Sequence, residues 1–257
     1  MTETTNHVNR TVLVTGAPRG IGRAICQAFA TRGDTVVVHY STREDEARET
    51  LESLKGSGHQ LVQGSLTDPD TVERVVTEAA SVGNGLRVVV NNAAVMTPHS
   101  PTEATYERWQ QAWKHTLDVN LFAAANVCYC ASRVMTDAGE GGHIVNIGSR
   151  GAFRGEPDHP AYGASKAALH ALSQSLAIAL APNGICVNSV APGFIETERV
   201  AGRLEGTEGE NIRSQSPFGR VGRPEEVAAA VLYLASPEAQ WTSGAVLDVN
   251  GASHFRL

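Results

Sequence analysis

TVLVTGAPRGIG, residues 11–22, joins an apolar run to a glycine-rich turn and then to the opening of a helix. TVLVT (11–15) is β-branched and almost continuously apolar, the pattern of a strand buried on both faces. TGAPRGIG (15–22) brings Gly16, Gly20 and Gly22. Glycine permits positive φ and lets backbone approach a ligand closely. A turn of this kind between strand and helix aims free N–H groups and the positive end of the helix dipole at one spot, which suits the pyrophosphate of a dinucleotide. A glycine cluster alone reads equally well as a tight turn; its place after the first strand and before the first helix is what makes it informative.

Outward from that turn, strand and helix patterns alternate to the end of the chain. Strand candidates are 11–15, 35–39, 60–63, 86–91, 143–147, 185–191 and 245–249. Amphipathic helical patterns cover 20–31, 43–55, 68–82, 104–133, 162–180 and 224–235. Strands rich in Val and Ile, separated by helices, predict an α/β fold. The expected form is a single Rossmann-type, doubly wound domain with a seven-stranded parallel sheet flanked by helices. Residues 1–9 read as a loose polar tail and 10–257 as one domain. The irregular stretch 194–217, charged and glycine-containing between a strand and a helix, reads as a substrate lid.

Composition narrows the function. The chain has 257 residues, is 42% hydrophobic and 19% charged, and carries a net charge of −6, which argues against a nucleic-acid binder. No apolar run reaches the 18 or so residues of a membrane span, and the polar start lacks a secretory core segment. The cysteines Cys26, Cys128, Cys130 and Cys186 are expected to be reduced thiols, with no metal site, in a cytoplasmic protein.

The tip of the second strand selects between dinucleotides. An NAD-selective site places an acid there, on the ribose 2′-hydroxyl. Here the tip reads His39, Tyr40, Ser41, Thr42, with no acid. Arg19 in the glycine turn, with Ser41 or Thr42, suits a 2′-phosphate, so NADP(H) is favoured. Arg43 reads as part of a solvated helix face with Glu46.

YGASK (162–166) places Tyr162 and Lys166, one of three lysines, on one helix face. Ser149 ends the strand HIVNIGS, and Asn91–Asn92 end LRVVVNN; both belong to the sheet edge on which the glycine turn opens. Together these pieces resemble the short-chain dehydrogenases/reductases: TGAPRGIG, NNAA (91–94), Asn120 in DVNLF, Ser149, YGASK, APGFIET (191–197) and RPEEVA (223–228). The resemblance spans nearly the whole chain. It implies hydride transfer between nicotinamide and a carbonyl or secondary alcohol, with Tyr162 as general acid/base. A free phenol titrates near 10, and a neighbouring ammonium favours its ionised form. By the same resemblance Ser149 orients the substrate oxygen and Lys166 holds the nicotinamide ribose. Asn120 holds a relay water. The implied cofactor contacts are Gly16, Arg19, Gly20, Ile21, Gly22, Tyr40, Ser41, Thr42, Ser65, Leu66, Asn92, Ala93, Tyr162, Lys166, Pro192, Gly193, Ile195 and Thr197.

Departures from the family pattern are Pro18, Ala94 and Ser65, the last standing where an aspartate commonly meets adenine. PGFIET and DVNG resemble bacterial 3-oxoacyl-carrier-protein reductases, the alternative activity. Those enzymes use basic helix ends for an acidic carrier, whereas Glu140 and Asn183 stand here. Arg150 and Arg154, beside Glu156 and Asp158, read as a solvated or ion-paired loop, with an anionic substrate as the other reading. The apolar circumference of 104–133 and 162–180 suggests subunit packing, and the family resemblance implies a homotetramer built through those helices. A dinucleotide-sensing binding protein without catalysis is the non-enzyme alternative. It sits poorly with the retention of Ser149, Tyr162 and Lys166.

Overall fold

The computed structural model describes residues 9–198 and 200–256. Of the predicted tail, residues 1–8 lie outside the described residues. Asn9 is already anchored, because its side-chain oxygen accepts from the Thr35 N–H and hydroxyl.

Seven parallel strands form one sheet in the order β3-β2-β1-β4-β5-β6-β7. They are β1 (Thr11–Val14), β2 (Thr35–Tyr40), β3 (Gln60–Gln63), β4 (Leu86–Asn91), β5 (Gly142–Ile147), β6 (Ile185–Pro192) and β7 (Val246–Val249). The principal helices between them are α1 (Gly20–Thr31), α2 (Glu44–Glu52), α3 (Pro69–Ala80), α4 (Tyr106–Leu117), α5 (Ala123–Ala138), α6 (Gly151–Arg154), α7 (Pro160–Leu180), α8 (Gly206–Arg213) and α9 (Pro224–Leu234). The α/β class, the seven parallel strands and the flanking helices are as the alternation implies. Strand order reverses between β1 and β4, so a crevice opens beyond their carboxyl ends, where such folds bind ligands.

Alternation along each strand feeds two cores. Val12 and Val14 of β1 join Phe29, Val36, Val38 and Val231 on one face, and Leu13 joins Val37, Val75, Val127 and Ile144 on the other. A polar chain runs through the second layer. Asn91 Nδ2 donates to Asn146 Oδ1 at 2.8 Å, and Asn146 Nδ2 donates to Ser173 Oγ at 2.8 Å. Ser189 Oγ donates to the same Ser173 oxygen, and Ser173 Oγ donates to the Leu169 carbonyl. The chain ties β4, β5 and β6 to α7 and leaves its members satisfied in the interior.

Two stretches depart from the expected outline. The helix expected over 104–133 is two helices joined by a π-helical turn, Asp118–Phe122, and the second runs on to Ala138. A π turn within a helix commonly marks a functional position. The segment 194–217 is not irregular throughout: it holds a 3-10 turn, Ala201–Leu204, and α8, tied together by the Arg203–Glu208 ion pair and by Arg213 donating to the Leu204 carbonyl. Among the described residues no helix is long and apolar enough to cross a membrane.

Candidate active site

A cavity of about 620 Å³ opens over the crevice, between the glycine turn and the start of α7. Gly16 and Gly20 have φ of +60° and +54°, values that glycine adopts without strain. Gly22 is helical, but a Cβ there would fall 2.7 Å from Ala17 Cα and 2.7 Å from Asn92 Nδ2. Asn92 braces the turn by donating to the carbonyls of Thr15 and Gly16, and Thr15 Oγ1 accepts from the N–H groups of Asn92 and Ala93. From the other side, Arg23 and the Thr50 hydroxyl donate to the Pro18 carbonyl. The first turn of α1 has no side-chain cap and no acid. Its free N–H groups therefore face the cavity as an anion cradle, and a dinucleotide pyrophosphate fits it.

His39 is a part of this cradle that the strand pattern does not single out. Its Nδ1 accepts from the Gly16 N–H at 3.1 Å and its Nε2 donates to the Gly64 carbonyl at 3.0 Å, which requires the neutral ring. Burial holds its pKa down, to about 4. Burial does the same, to about 4, for His143 and for His170, whose ring lies under Gly148 and stacks on Phe153. Because each folded value lies below the ordinary 6.5, the unfolded chain takes up these protons first. Stability is therefore full above about pH 6.5 and falls as pH drops towards 4, by about 2 kcal/mol per histidine at pH 4.5. Urea unfolding at pH 7 and pH 4.5 measures the loss. His39→Gln is expected to remove one histidine's share of the slope, and an unchanged slope refutes its part in it.

At the far end of the cavity, Ser41, Thr42, Arg19 and Arg43 line the wall beyond β2, and Ser65 and Leu66 line it beyond β3. Arg43 is exposed and pairs with Glu46, as its reading on a solvated helix face implies, and it also borders the cavity. Glu46 stands between the two arginines, 2.5 Å from Arg43 Nη1 and 3.7 Å from Arg19 Nε. Tyr40 is a correction. It is 8% exposed and packs with Val36 and Val38 in the first core, because residues two apart on a strand share a face. His39, one residue earlier, takes the crevice side. Asp68 is committed to capping α3 through Thr71, which leaves Ser65 at the cavity wall.

At the near end, Ser149, Tyr162 and Lys166 line one region of the cavity. Ser149 follows β5, and Tyr162 and Lys166 lie one turn apart on α7. The Lys166 ammonium is buried, donates to the Ile147 carbonyl at 2.7 Å and lies 5.8 Å from the centre of the Tyr162 ring. Ser149 Oγ accepts from the Gly151 N–H at 3.0 Å, which leaves its own proton to be donated elsewhere. Asn120, in the π turn, is buried beside this group but does not line the cavity. Its amide oxygen accepts from the Val95 N–H and its amide nitrogen donates to the Val95 carbonyl and to Ser165 Oγ. Both amide protons are thus engaged, and the side chain fixes the loop after β4.

A nucleotide cradle at one end and a Ser–Tyr–Lys group at the other, over a doubly wound sheet, agree with the comparisons. The family profile described as enoyl-(acyl carrier protein) reductase matches residues 16–254. The chain is 36% identical over 244 residues to cis-4-hydroxycyclohexanecarboxylate dehydrogenase of Sinomonas cyclohexanicum, covering 94% of this chain and 95% of that one. It is 34% identical to L-rhamnose 1-dehydrogenase (NAD(P)(+)) of Sphingomonas sp. strain SKA58, over 96% and 97% of the two chains. It is 35% identical to the 3-oxoacyl-[acyl-carrier-protein] reductase of Escherichia coli, over 97% and 99%. The chain belongs to the short-chain dehydrogenase/reductase family. It is an oxidoreductase of alcohol or ketone substrates that works with a nicotinamide cofactor.

In this short-chain dehydrogenase/reductase, Pro192, Gly193, Ile195 and Thr197 complete the cavity wall after β6. A Cβ on Gly193 would fall 3.0 Å from Asn250 Cα, so the turn packs closely on the C-terminal segment. Ile195 pairs with Gly222 in a parallel bridge, which fastens the start of the 194–217 segment. Thr197 packs against Gly20 across the mouth of the glycine turn. This end of the cavity also takes Phe194, Arg150, Glu156 and Arg203.

Proposed function

We propose that the protein is an NADP(H)-dependent oxidoreductase that interconverts ketones and secondary alcohols, with Tyr162 as general acid/base. The convergence of Ser149, Tyr162 and Lys166 on one region of the cavity carries this reading. Bound nicotinamide dinucleotide supplies the hydride in reduction and accepts it in oxidation. In reduction the Ser149 hydroxyl donates to the ketone oxygen and fixes it, and Tyr162 delivers a proton to that oxygen. In oxidation Tyr162 takes the proton from the alcohol. The Lys166 ammonium favours the phenolate left after proton delivery, because an opposite charge nearby stabilises it. The glycine turn and the uncapped α1 terminus hold the pyrophosphate. Asn120 acts by position, holding the Val95 loop against α7.

The preference for NADP(H) rests on Arg19, Ser41 and Thr42 at a strand tip without an acid. Glu46 neutralises Arg19 only at 3.7 Å, so a phosphate dianion competes for the guanidinium on favourable terms. The test is a carbonyl and alcohol panel run with both cofactors on wild type and Arg19→Ala. Arg19→Ala is expected to lower kcat/KM for NADPH roughly 10- to 100-fold, in line with a charge-assisted hydrogen bond, and for NADH less than threefold. Equal losses remove the assignment. Absence of turnover on the whole panel removes the activity.

The second reading is reduction of a 3-oxoacyl chain on a carrier protein, favoured by the likeness to the Escherichia coli reductase. Glu140, at the end of α5, pairs with Arg87, so that helix end offers an acidic carrier no free cation. Comparing a carrier-bound 3-oxoacyl chain with free ketones separates the two readings. We further propose a homotetramer through α4–α5 and α7, on which Tyr106, Phe122, Tyr129 and Ile178 are exposed, Ile178 by 80%. A solution mass near the 27.2 kDa of one chain would contradict it. The four described cysteines are free thiols, consistent with a cytoplasmic setting.

A further inference from the structure

In the loop after Ser149, Arg154 is exposed as expected, but Arg150 is neither solvated nor ion-paired. Arg150 is 6% exposed, and no other arginine among the described residues is buried. Its Nη1 donates to Ser253 Oγ at 2.5 Å and its Nη2 to Gln215 Oε1 at 2.6 Å, both neutral acceptors. Arg154 donates to that same Gln215 oxygen at 2.6 Å, so one amide oxygen serves two guanidinium groups. Among the described residues no carboxylate lies within ion-pair distance of Arg150 or Arg154. The Arg150 guanidinium sits 5.0 Å from the centre of the Phe194 ring and the Arg203 guanidinium 5.5 Å from it. Arg203 already has Glu208 as its partner.

Burying a charge without a counter-charge is costly, and native interiors pair such groups. Glu156 is the nearest acid of the loop, and it does not pair with Arg150. It packs on Gly151 and Gly163, where added Cβ atoms would meet its side chain. Burial raises its pKa against the pull of Arg150, Arg154 and Arg203. Three of the five guanidinium N–H groups of Arg150 remain beyond the two hydrogen bonds above. Arg150 and Phe194 stand between two cavities: they border the one that Ser149 and Tyr162 line, and a second of about 230 Å³ that Gln215 and Ser253 line.

We propose that Arg150 is a specificity-determining residue that binds a carboxylate on the substrate, so that the preferred substrates are hydroxy acids and oxo acids with the anionic group remote from the reacting carbon. This inference rests on the ketone–alcohol activity proposed above. The Phe194 ring supplies an apolar wall for the carbon skeleton between the two polar ends. A guanidinium with neutral supports holds a carboxylate well, because the supports orient it without cancelling its charge.

The test is calorimetric titration of cyclohexanecarboxylate and of cyclohexanecarboxamide into the full chain saturated with oxidised cofactor, at pH 7.5. Wild type is expected to bind the acid roughly 10- to 100-fold more tightly than the amide, the range of a charge-assisted hydrogen bond. In Arg150→Gln that ratio falls to near one, and in Arg150→Lys part of it survives. Arg203→Gln keeps the ratio within about threefold, since that arginine is already paired. An acid-to-amide ratio near one in wild type overturns the proposal, as does a ratio that persists in Arg150→Gln. Should Arg150→Gln fail to fold, the wild-type ratio and Arg150→Lys decide. A parallel kinetic comparison of 5-oxohexanoate with its methyl ester is expected to favour the acid in kcat/KM. Turnover of both at equal efficiency overturns the carboxylate inference and leaves the proposed activity standing. No turnover of either, with none on the wider panel, removes the activity, and the titration still decides the role of Arg150.

Discussion

Tyr162→Phe is expected to lower kcat for ketone reduction by about a thousandfold or more, with dinucleotide affinity changed less than threefold. Positioned acid/base groups contribute typically 10²–10⁴ in rate, and this substitution removes the one hydroxyl that the proposed mechanism uses to move the proton. The effect falls on kcat because the ring itself is retained. Its face still meets the Lys166 ammonium, 5.8 Å from the ring centre, and the glycine turn that would carry the cofactor's phosphates is untouched. Steady-state rates followed by NADPH absorbance, together with a fluorescence titration of NADPH, separate the two quantities. The residual rate should also lose the pH dependence that belongs to the phenol. Retention of more than about a tenth of wild-type turnover would exclude Tyr162 as the proton donor, and a matching collapse in cofactor affinity would recast it as a binding group.

Gly22→Ala is the second large effect, and it acts through packing alone. Gly22 is inside α1 with ordinary helical φ, so alanine costs nothing in backbone conformation there. The obstacle is space. The new methyl would lie 2.7 Å from Ala17 Cα, 2.7 Å from Asn92 Nδ2 and 2.8 Å from the Gly16 carbonyl oxygen. Two of those are main-chain atoms that no side-chain rotation can move. The helix must therefore lift away from the turn, and the hydrogen bonds from Asn92 to the Thr15 and Gly16 carbonyls stretch. Overpacking of this kind costs about 1–3 kcal/mol, readable as a lower urea midpoint. Dinucleotide affinity is expected to drop more than tenfold, since the cradle depends on that close approach. Wild-type affinity in a folded Gly22→Ala protein would refute the need for contact between helix and turn.

The fold and the placement of Ser149, Tyr162 and Lys166 on one cavity are legible for the same reason: both are written in local patterns. Apolar β-branched runs mark the buried parallel strands, and TGAPRGIG and YGASK are contiguous, so their neighbours in space are their neighbours in the chain. What escaped depends on facing and on distance. Tyr40 was read from its place at a strand tip, but the two-residue alternation of β2 sends it into the core with Val36 and Val38 and gives the crevice to His39. Nothing local to Asn120 shows that its side-chain amide is engaged by Val95, 25 residues earlier. The isolation of Arg150 from any acid cannot be read beside Glu156 and Asp158 in sequence. Its partners, Gln215 and Ser253, are 65 and 103 residues away. The short helix α8 sits in a glycine- and charge-rich stretch whose pattern is too brief to register, and contacts from Arg203 and Arg213 hold it.

The buried polar chain from Asn91 to Ser189 has a consequence for how this protein can change over time. Each link accepts or donates to the next, so replacing one member by an apolar residue strands its neighbour's hydrogen-bonding group in the interior, whereas replacing several together does not. Sequence drift at positions 91, 146, 173 and 189 should therefore occur in company, if at all. And because Ser173 sits on the helix that carries Tyr162 and Lys166, such a concerted exchange would be a route by which ancestry, rather than substrate, retunes how the Tyr162 phenol is held.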